Sequence, residues 1–199
     1  MWPRIRTSEK SYGCHTDRKG SASAHFRLAA EAGLVGCTIE DATGNQDNPL
    51  YDVGLAVERI TAAAEAARAL PFSFVLTARA HSFLYATPNL EDTIRRLQAF
   101  EKAGADVLFA PGLPDLAAVG AVCEAITKPS NFMAGIRGKS FSVAELAAVG
   151  VRRISLATSL YRAAMTSLLD AAREVKDTGQ FGFLNRSLRT PELNKLMQI

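Results

Sequence analysis

Cysteine is scarce. Only Cys14, Cys37 and Cys123 occur in 199 residues. No pair has metal-ligand spacing, and an odd number argues against a disulfide framework. The three read as reduced thiols in a cytoplasmic protein. Long apolar runs are lacking too. None approaches the roughly 18 residues that a membrane-spanning helix needs. No apolar stretch of signal-peptide type follows Met1-Trp2-Pro3-Arg4-Ile5-Arg6. That opening is basic, which leaves organellar targeting as an alternative to the cytoplasm. Dense basic runs are missing as well. The net charge is +3 with lysine and arginine scattered, so nothing argues for a nucleic-acid surface. Gly44-Asn45 is not followed by the Gly-Lys-Ser/Thr of a phosphate loop.

What is present is a chain that can build one sizeable core. Hydrophobic residues make up 48% of it. One domain is the expectation at this length. Residues 1–20 stand apart: polar, basic and without period, they read as an irregular or disordered segment ahead of a domain over 21–199. Within that domain the sequence predicts strands at 35–40, 72–77, 106–110, 131–134 and 153–156. Helices are predicted over 22–32, 51–69, 89–103, 114–126, 142–149 and 159–176, with a short one at 191–197. Gly33, Gly104 and Gly150 each stand between a helix and a strand, where glycine commonly ends a helix. Strand–helix alternation of this kind gives a parallel sheet. Composition leaves two architectures open, a doubly wound sheet and a (β/α) barrel.

In either architecture ligands gather at the C-terminal ends of the strands. There the sequence places Glu40 and Asp41, then Arg79 and His81, then Pro111-Gly112, Asn131 to Gly135, and Thr158-Ser159. Carboxylates at one strand end and an arginine at the next suit an anionic substrate held partly through Mg²⁺ or Mn²⁺. Mg²⁺ favours oxygen ligands and is held by one or two carboxylates plus substrate oxygens. Arg79 offers a two-point fork to a carboxylate. Gly112 and Asn131 join Arg79 as substrate-binding candidates. His81 is a candidate acid/base, and with Arg79 makes the catalytic pair. The competing reading is plain structure: helix caps, solvated loop carboxylates and an exposed histidine. Cys37 and Cys123 read as core.

The stretches G-C-T-I-E-D at 36–41, P-L-Y-D-V at 49–53, L-A-V-E-R-I at 55–60, F-V-L-T-A-R-A at 74–80, A-G-A-D-V-L-F-A-P-G at 103–112 and S-V-A-E-L-A-A-V-G-V-R-R-I-S at 142–155 form a set. Together they resemble the isocitrate lyase/phosphoenolpyruvate mutase family. The resemblance implies an α/β fold, a TIM-type (β/α) barrel, incomplete here with about five to six of eight βα units. It implies a homo-oligomer, since the family's last helix is often swapped between subunits. It also implies C–C or P–C chemistry on a small 2-oxo acid or phosphonate, oxaloacetate- or phosphonopyruvate-like, through a Mg²⁺-stabilised enolate. Glu40 matches the family's metal-holding acidic residue and Arg79 its substrate-binding arginine. His81 stands where an acidic residue is common.

The amino-terminal end departs from the family. Thr7 to Gly13 can be laid on the motif Asp-x-Asp/Glu-x-Gly-Tyr/Phe-Gly. Glu9 then keeps the second acidic position as a metal ligand, while Thr7 and Ser11 break the pattern. The first two βα units have no counterpart. The lysine–cysteine–glycine–histidine loop of the lyases is absent after Asp41. The alternative function is therefore a truncated, catalytically impaired remnant of the family.

Overall fold

The computed structural model describes residues 27–85 and 88–197. Glycine ends the helical segments ahead of three strands, as its freedom at positive φ allows. Gly33, Gly104 and Gly150 take φ of 81°, 103° and 95°. The strands that follow are short and β-branched or apolar. They are β1 (Gly36–Glu40), β2 (Val75–Arg79), β3 (Val107–Phe109), β4 (Ser130–Met133) and β5 (Arg153–Ser155). The intervening helices are α1 (Val53–Arg68), α2 (Ser82–Tyr85), α3 (Leu90–Lys102), α4 (Leu116–Ala125) and α5 (Val143–Ala148). Polar caps start them. Asn89 Oδ1 accepts from the Asp92 N–H at 2.9 Å, and Ser142 with Glu145 makes a capping box at α5.

Among the described residues all five strands are parallel, and their order in the sheet is their order in the chain. That order decides between the two architectures. A doubly wound sheet reverses direction at a switch point. Here every crossover steps the same way, so right-handed connections put the helices on one face. The sheet is an arc of a (β/α) barrel, incomplete among the described residues.

Alternation along each strand sorts the side chains. Ile39, Leu76, Ala78, Leu108 and Phe132 face the helices, where they meet Ile60, Ala63, Leu97, Phe100, Val119 and Val122 in the core. The opposite, inner face carries the residues between them. One level of that face is continuous across all five strands: Glu40 pairs with Arg79, Arg79 with Phe109, Phe109 with Asn131, and Asn131 with Arg153.

The strand predicted at 72–77 lies farther along, at Val75–Arg79. Gly36 sets the start. Its missing side chain admits Val75, whose carbonyl oxygen would lie 2.8 Å from a Cβ there. The Asp106 carboxylate holds the Leu76 N–H at 2.8 Å. Arg79 therefore belongs to the strand instead of emerging from it. The short α2 was not legible, because only four residues carry it. The segment 1–26, with Glu9, Cys14, His15 and His25, lies outside the described residues.

The chain divides into two compact units, one ending at Ala157 and one beginning at Thr158. The second unit holds α6 (Ser159–Thr178), a 3₁₀ turn (Gly182–Arg186) and α7 (Thr190–Met197). Gly179, left-handed at φ 67°, caps α6. Neither α6 nor α7 buries a residue.

Candidate active site

Glu40 is the last residue of β1 and Arg79 the last of β2, directly opposite it. Their side chains meet on the inner face, with Arg79 Nη1 3.6 Å from Glu40 Oε2. Two residues on, His81 Nε2 comes within 3.1 Å of the same carboxylate oxygen. His81 is not an exposed loop histidine. It is 1% exposed, stacked on Tyr85 with ring centroids 5.1 Å apart. Neither Nδ1 nor Nε2 makes a hydrogen bond, so the 3.1 Å approach to Glu40 is a contact without hydrogen-bond geometry. Arg79 lies with its guanidinium 4.8 Å over the Phe109 ring. One carboxylate thus faces two basic groups while Glu40 and Arg79 keep part of their surface open to a ligand.

Asp41 plays a different part from its neighbour. Its side chain points away from solvent and is consumed by the scaffold. Oδ1 accepts from the His81 backbone N–H at 2.8 Å, and Oδ2 from Arg96 Nη1 at 3.3 Å. Burial pushes the Asp41 carboxyl up from the ordinary 3.8, against the pull of the His81 amide and the Arg96 and His81 charges. Arg96 also donates to the Tyr51 carbonyl at 3.1 Å and to Asp92 Oδ2 at 2.9 Å. A second arginine, Arg59, is 3% exposed. It donates to the Glu40 carbonyl at 2.8 Å and lies 4.4 Å over the Tyr51 ring. Two helix arginines from α1 and α3 therefore clamp the Glu40–Asp41 turn. Both escape a sequence reading, since their partners lie 19 and 55 residues away. The one available signal is an arginine on the buried stripe of each helix.

Asn131 sits on the same inner level, 3% exposed. Its Nδ2 donates to Ser155 Oγ at 3.1 Å, and its Oδ1 has no partner. Gly112 follows β3 at φ 90° and packs under Leu84, whose Cδ2 would lie 2.8 Å from a Cβ there. Its carbonyl accepts from Lys139 Nζ at 2.9 Å. The structure thus brings Glu40, Arg79 and His81 together, keeps Asn131 on their level, and commits the Gly112 carbonyl to Lys139.

A divalent metal can be tested against this donor set. Among the described residues no group of three or more His, Cys, Asp or Glu side chains converges. Glu40 offers a partly exposed carboxylate, whereas the Asp41 oxygens are taken. One carboxylate with substrate oxygens and water meets the needs of Mg²⁺. The residues fit the ion in that form.

Comparison with known proteins agrees with the fold. The chain aligns with a structure from Burkholderia cenocepacia J2315, a candidate lyase/mutase, at 45% identity and a TM-score of 0.90, covering 94% of this chain and 67% of that one. Phosphonopyruvate hydrolase, solved with oxalate and Mg²⁺, shares the fold at a TM-score of 0.73 and 22% identity, over 90% of this chain and 64% of that one. Oxaloacetate decarboxylase 2 of Pseudomonas putida (strain W619) is 30% identical over 181 residues, 87% of this chain. This chain spans 57% of the length of that relative. The sequence profile of phosphoenolpyruvate phosphomutase matches residues 9–176. With most of its length inside that match, the chain belongs to the phosphoenolpyruvate phosphomutase family.

Proposed function

We propose that the inner face binds a small 2-oxo acid, oxaloacetate-like or phosphonopyruvate-like, for Mg²⁺- or Mn²⁺-dependent lyase or mutase chemistry. One observation carries this reading: Glu40, Arg79 and His81 converge within 3.1–3.6 Å at the ends of adjacent strands. Arg79 binds the substrate carboxylate through its guanidinium fork. Glu40 holds the metal, with Glu9 as the proposed partner from the segment outside the described residues. The metal, when bound, polarises the substrate carbonyl and stabilises charge developing on its oxygen. His81 holds or delivers the proton that the reacting carbon needs, its unpartnered Nδ1 leaving the ring free to move one. Asn131 binds a substrate oxygen, and Gly112 contributes backbone shape at the rim. The relationship to an oxaloacetate decarboxylase supports the substrate class.

The exposed apolar residues Leu160, Leu168 and Leu169 support a homo-oligomer. Cytoplasmic residence is proposed from the reduced thiols. No described helix is long and apolar enough to cross a membrane.

A second reading is favoured by the donor set: among the described residues no group of three or more His, Cys, Asp or Glu side chains converges, and the Asp41 oxygens are taken by the His81 amide and Arg96. It is a protein that binds the ligand but turns it over weakly. Pyruvate release from oxaloacetate by pure protein with Mg²⁺ separates the two. Turnover that Arg79→Gln and Glu40→Gln both abolish supports the enzyme. Absent turnover, in protein that still binds oxalate, supports the impaired form.

A further inference from the structure

We infer that His81 Nε2 is a ligand, beside Glu40, to the divalent metal, so that the site takes a transition metal of the Mn²⁺-to-Zn²⁺ series ahead of Mg²⁺. The inference rests on the proposed holding of a metal ion by Glu40.

His81 is buried without being satisfied. It is 1% exposed, and among the described residues neither ring nitrogen has a hydrogen-bond partner. Buried polar atoms in native proteins nearly always have one. A neutral imidazole keeps one nitrogen lone pair, the pair it gives to a metal. The competing role is a ring that merely fills space. An apolar ring would stack on Tyr85 as well and would strand no polar atom.

The approach to Glu40 points the same way. His81 Nε2 lies 3.1 Å from Glu40 Oε2, yet no hydrogen bond forms there. Two ligands of one ion, each at about 2.1 Å, stand about 3.0 Å apart on an octahedron and about 3.4 Å apart on a tetrahedron. The contact has the length of a shared ion and lacks the direction of a hydrogen bond. Asp41 cannot take this part, because the His81 amide and Arg96 occupy its two oxygens.

The pair is also held in place. Tyr85 lies flat against the His81 ring, with 6° between the planes. Asp41, the chain neighbour of Glu40, holds the His81 backbone N–H at 2.8 Å. Ligands fixed in this way lose little freedom when they close on an ion. Nitrogen then changes the ion that the site favours. Mg²⁺ favours oxygen, whereas imidazole suits transition metals of the first row. Water and substrate oxygens complete the set, and Nδ1 is left with the ring proton.

The chain has three histidines, His15, His25 and His81, so an imidazole ligand can be assigned. Pulsed electron paramagnetic resonance of the full chain loaded with Mn²⁺ reads nitrogen coupling from a coordinated imidazole. Wild-type protein is expected to show that coupling, the double variant His15→Gln/His25→Gln to keep it, and His81→Gln to lose it while Mn²⁺ still binds. Calorimetry with Co²⁺ and Mg²⁺ gives a second readout. His81→Gln is expected to weaken Co²⁺ binding about tenfold or more and to change Mg²⁺ binding by no more than about twofold. Circular dichroism establishes that each variant is folded, and the double variant decides if His81→Gln is not. Mn²⁺ bound to wild-type protein without imidazole coupling overturns the role of His81 alone. Coupling lost in the folded double variant, or kept in folded His81→Gln, overturns it too. Failure of wild-type protein to bind Mn²⁺, Co²⁺ or Mg²⁺ overturns the Glu40 reading, and the inference falls with it.

Discussion

Arg96 Nη1 on α3 lies 3.3 Å from Asp41 Oδ2 at the end of β1, a carboxylate with no exposed surface. The same Asp41 holds the backbone N–H of His81. One ion pair therefore ties a helix to the strand end that carries the candidate metal ligand, and to the histidine beside it. Breaking a buried pair from one side leaves the other charge stranded, at a cost of about 3–5 kcal/mol. Arg96→Met is expected to lower unfolding stability by about 3 kcal/mol in urea titrations. A loss under about 1 kcal/mol would mean that water replaces Arg96 at Asp41.

Asp92 gives the pH dependence. Burial alone would raise its carboxyl, but hydrogen bonds from Arg95 and Arg96 and their charges hold it below the ordinary 3.8. A carboxyl depressed in the folded state contributes stability above its unfolded pKa. That contribution fades as pH falls through the folded value. Wild-type protein is expected to lose more stability than Asp92→Asn when pH drops from 5 to below 3.8. Urea midpoints for both proteins across that range check it. Parallel curves would show that Asp92 adds nothing there.

Glycine substitution separates conformational strain from crowding. Gly33 and Gly104 both sit at positive φ, 81° and 103°. A Cβ on Gly33 would touch nothing, whereas one on Gly104 would lie 2.6 Å from Arg68 Nη2 and 3.0 Å from Ala64 Cβ. Gly33→Ala is expected to cost about 1 kcal/mol, the usual penalty of a left-handed alanine. Gly104→Ala is expected to cost more, on the order of 2 kcal/mol, because Ala64 is in the core and cannot yield. Thermal unfolding of the two variants compares them directly.

These positions also show what the sequence reveals and what it hides. The three helix-ending glycines are visible because they stand at composition breaks, and all three take positive φ. Ser142 and Glu145 are visible because a capping box has fixed local spacing. The barrel arc is not visible in composition. It follows from strand order, which only the pairing reveals. The start of β2 is hidden for a similar reason, since a glycine on another strand decides it. Glu40 and Arg79 are legible as polar residues closing apolar runs. Arg59 and Arg96 are not, because a helix arginine reads as solvated until its distant partner is placed. His81 reads as loop, and its burial depends on Tyr85 and Asp41.

The central claim is that Glu40 and Arg79 form a working site for a metal and a 2-oxo acid. Calorimetric titration of Mg²⁺ or Mn²⁺, with and without oxalate as an enolate mimic, tests it most directly. The account predicts metal binding that oxalate strengthens and that Glu40→Ala abolishes. Metal and oxalate binding that persists unchanged in folded Glu40→Ala, or no binding by folded wild-type protein, would contradict it.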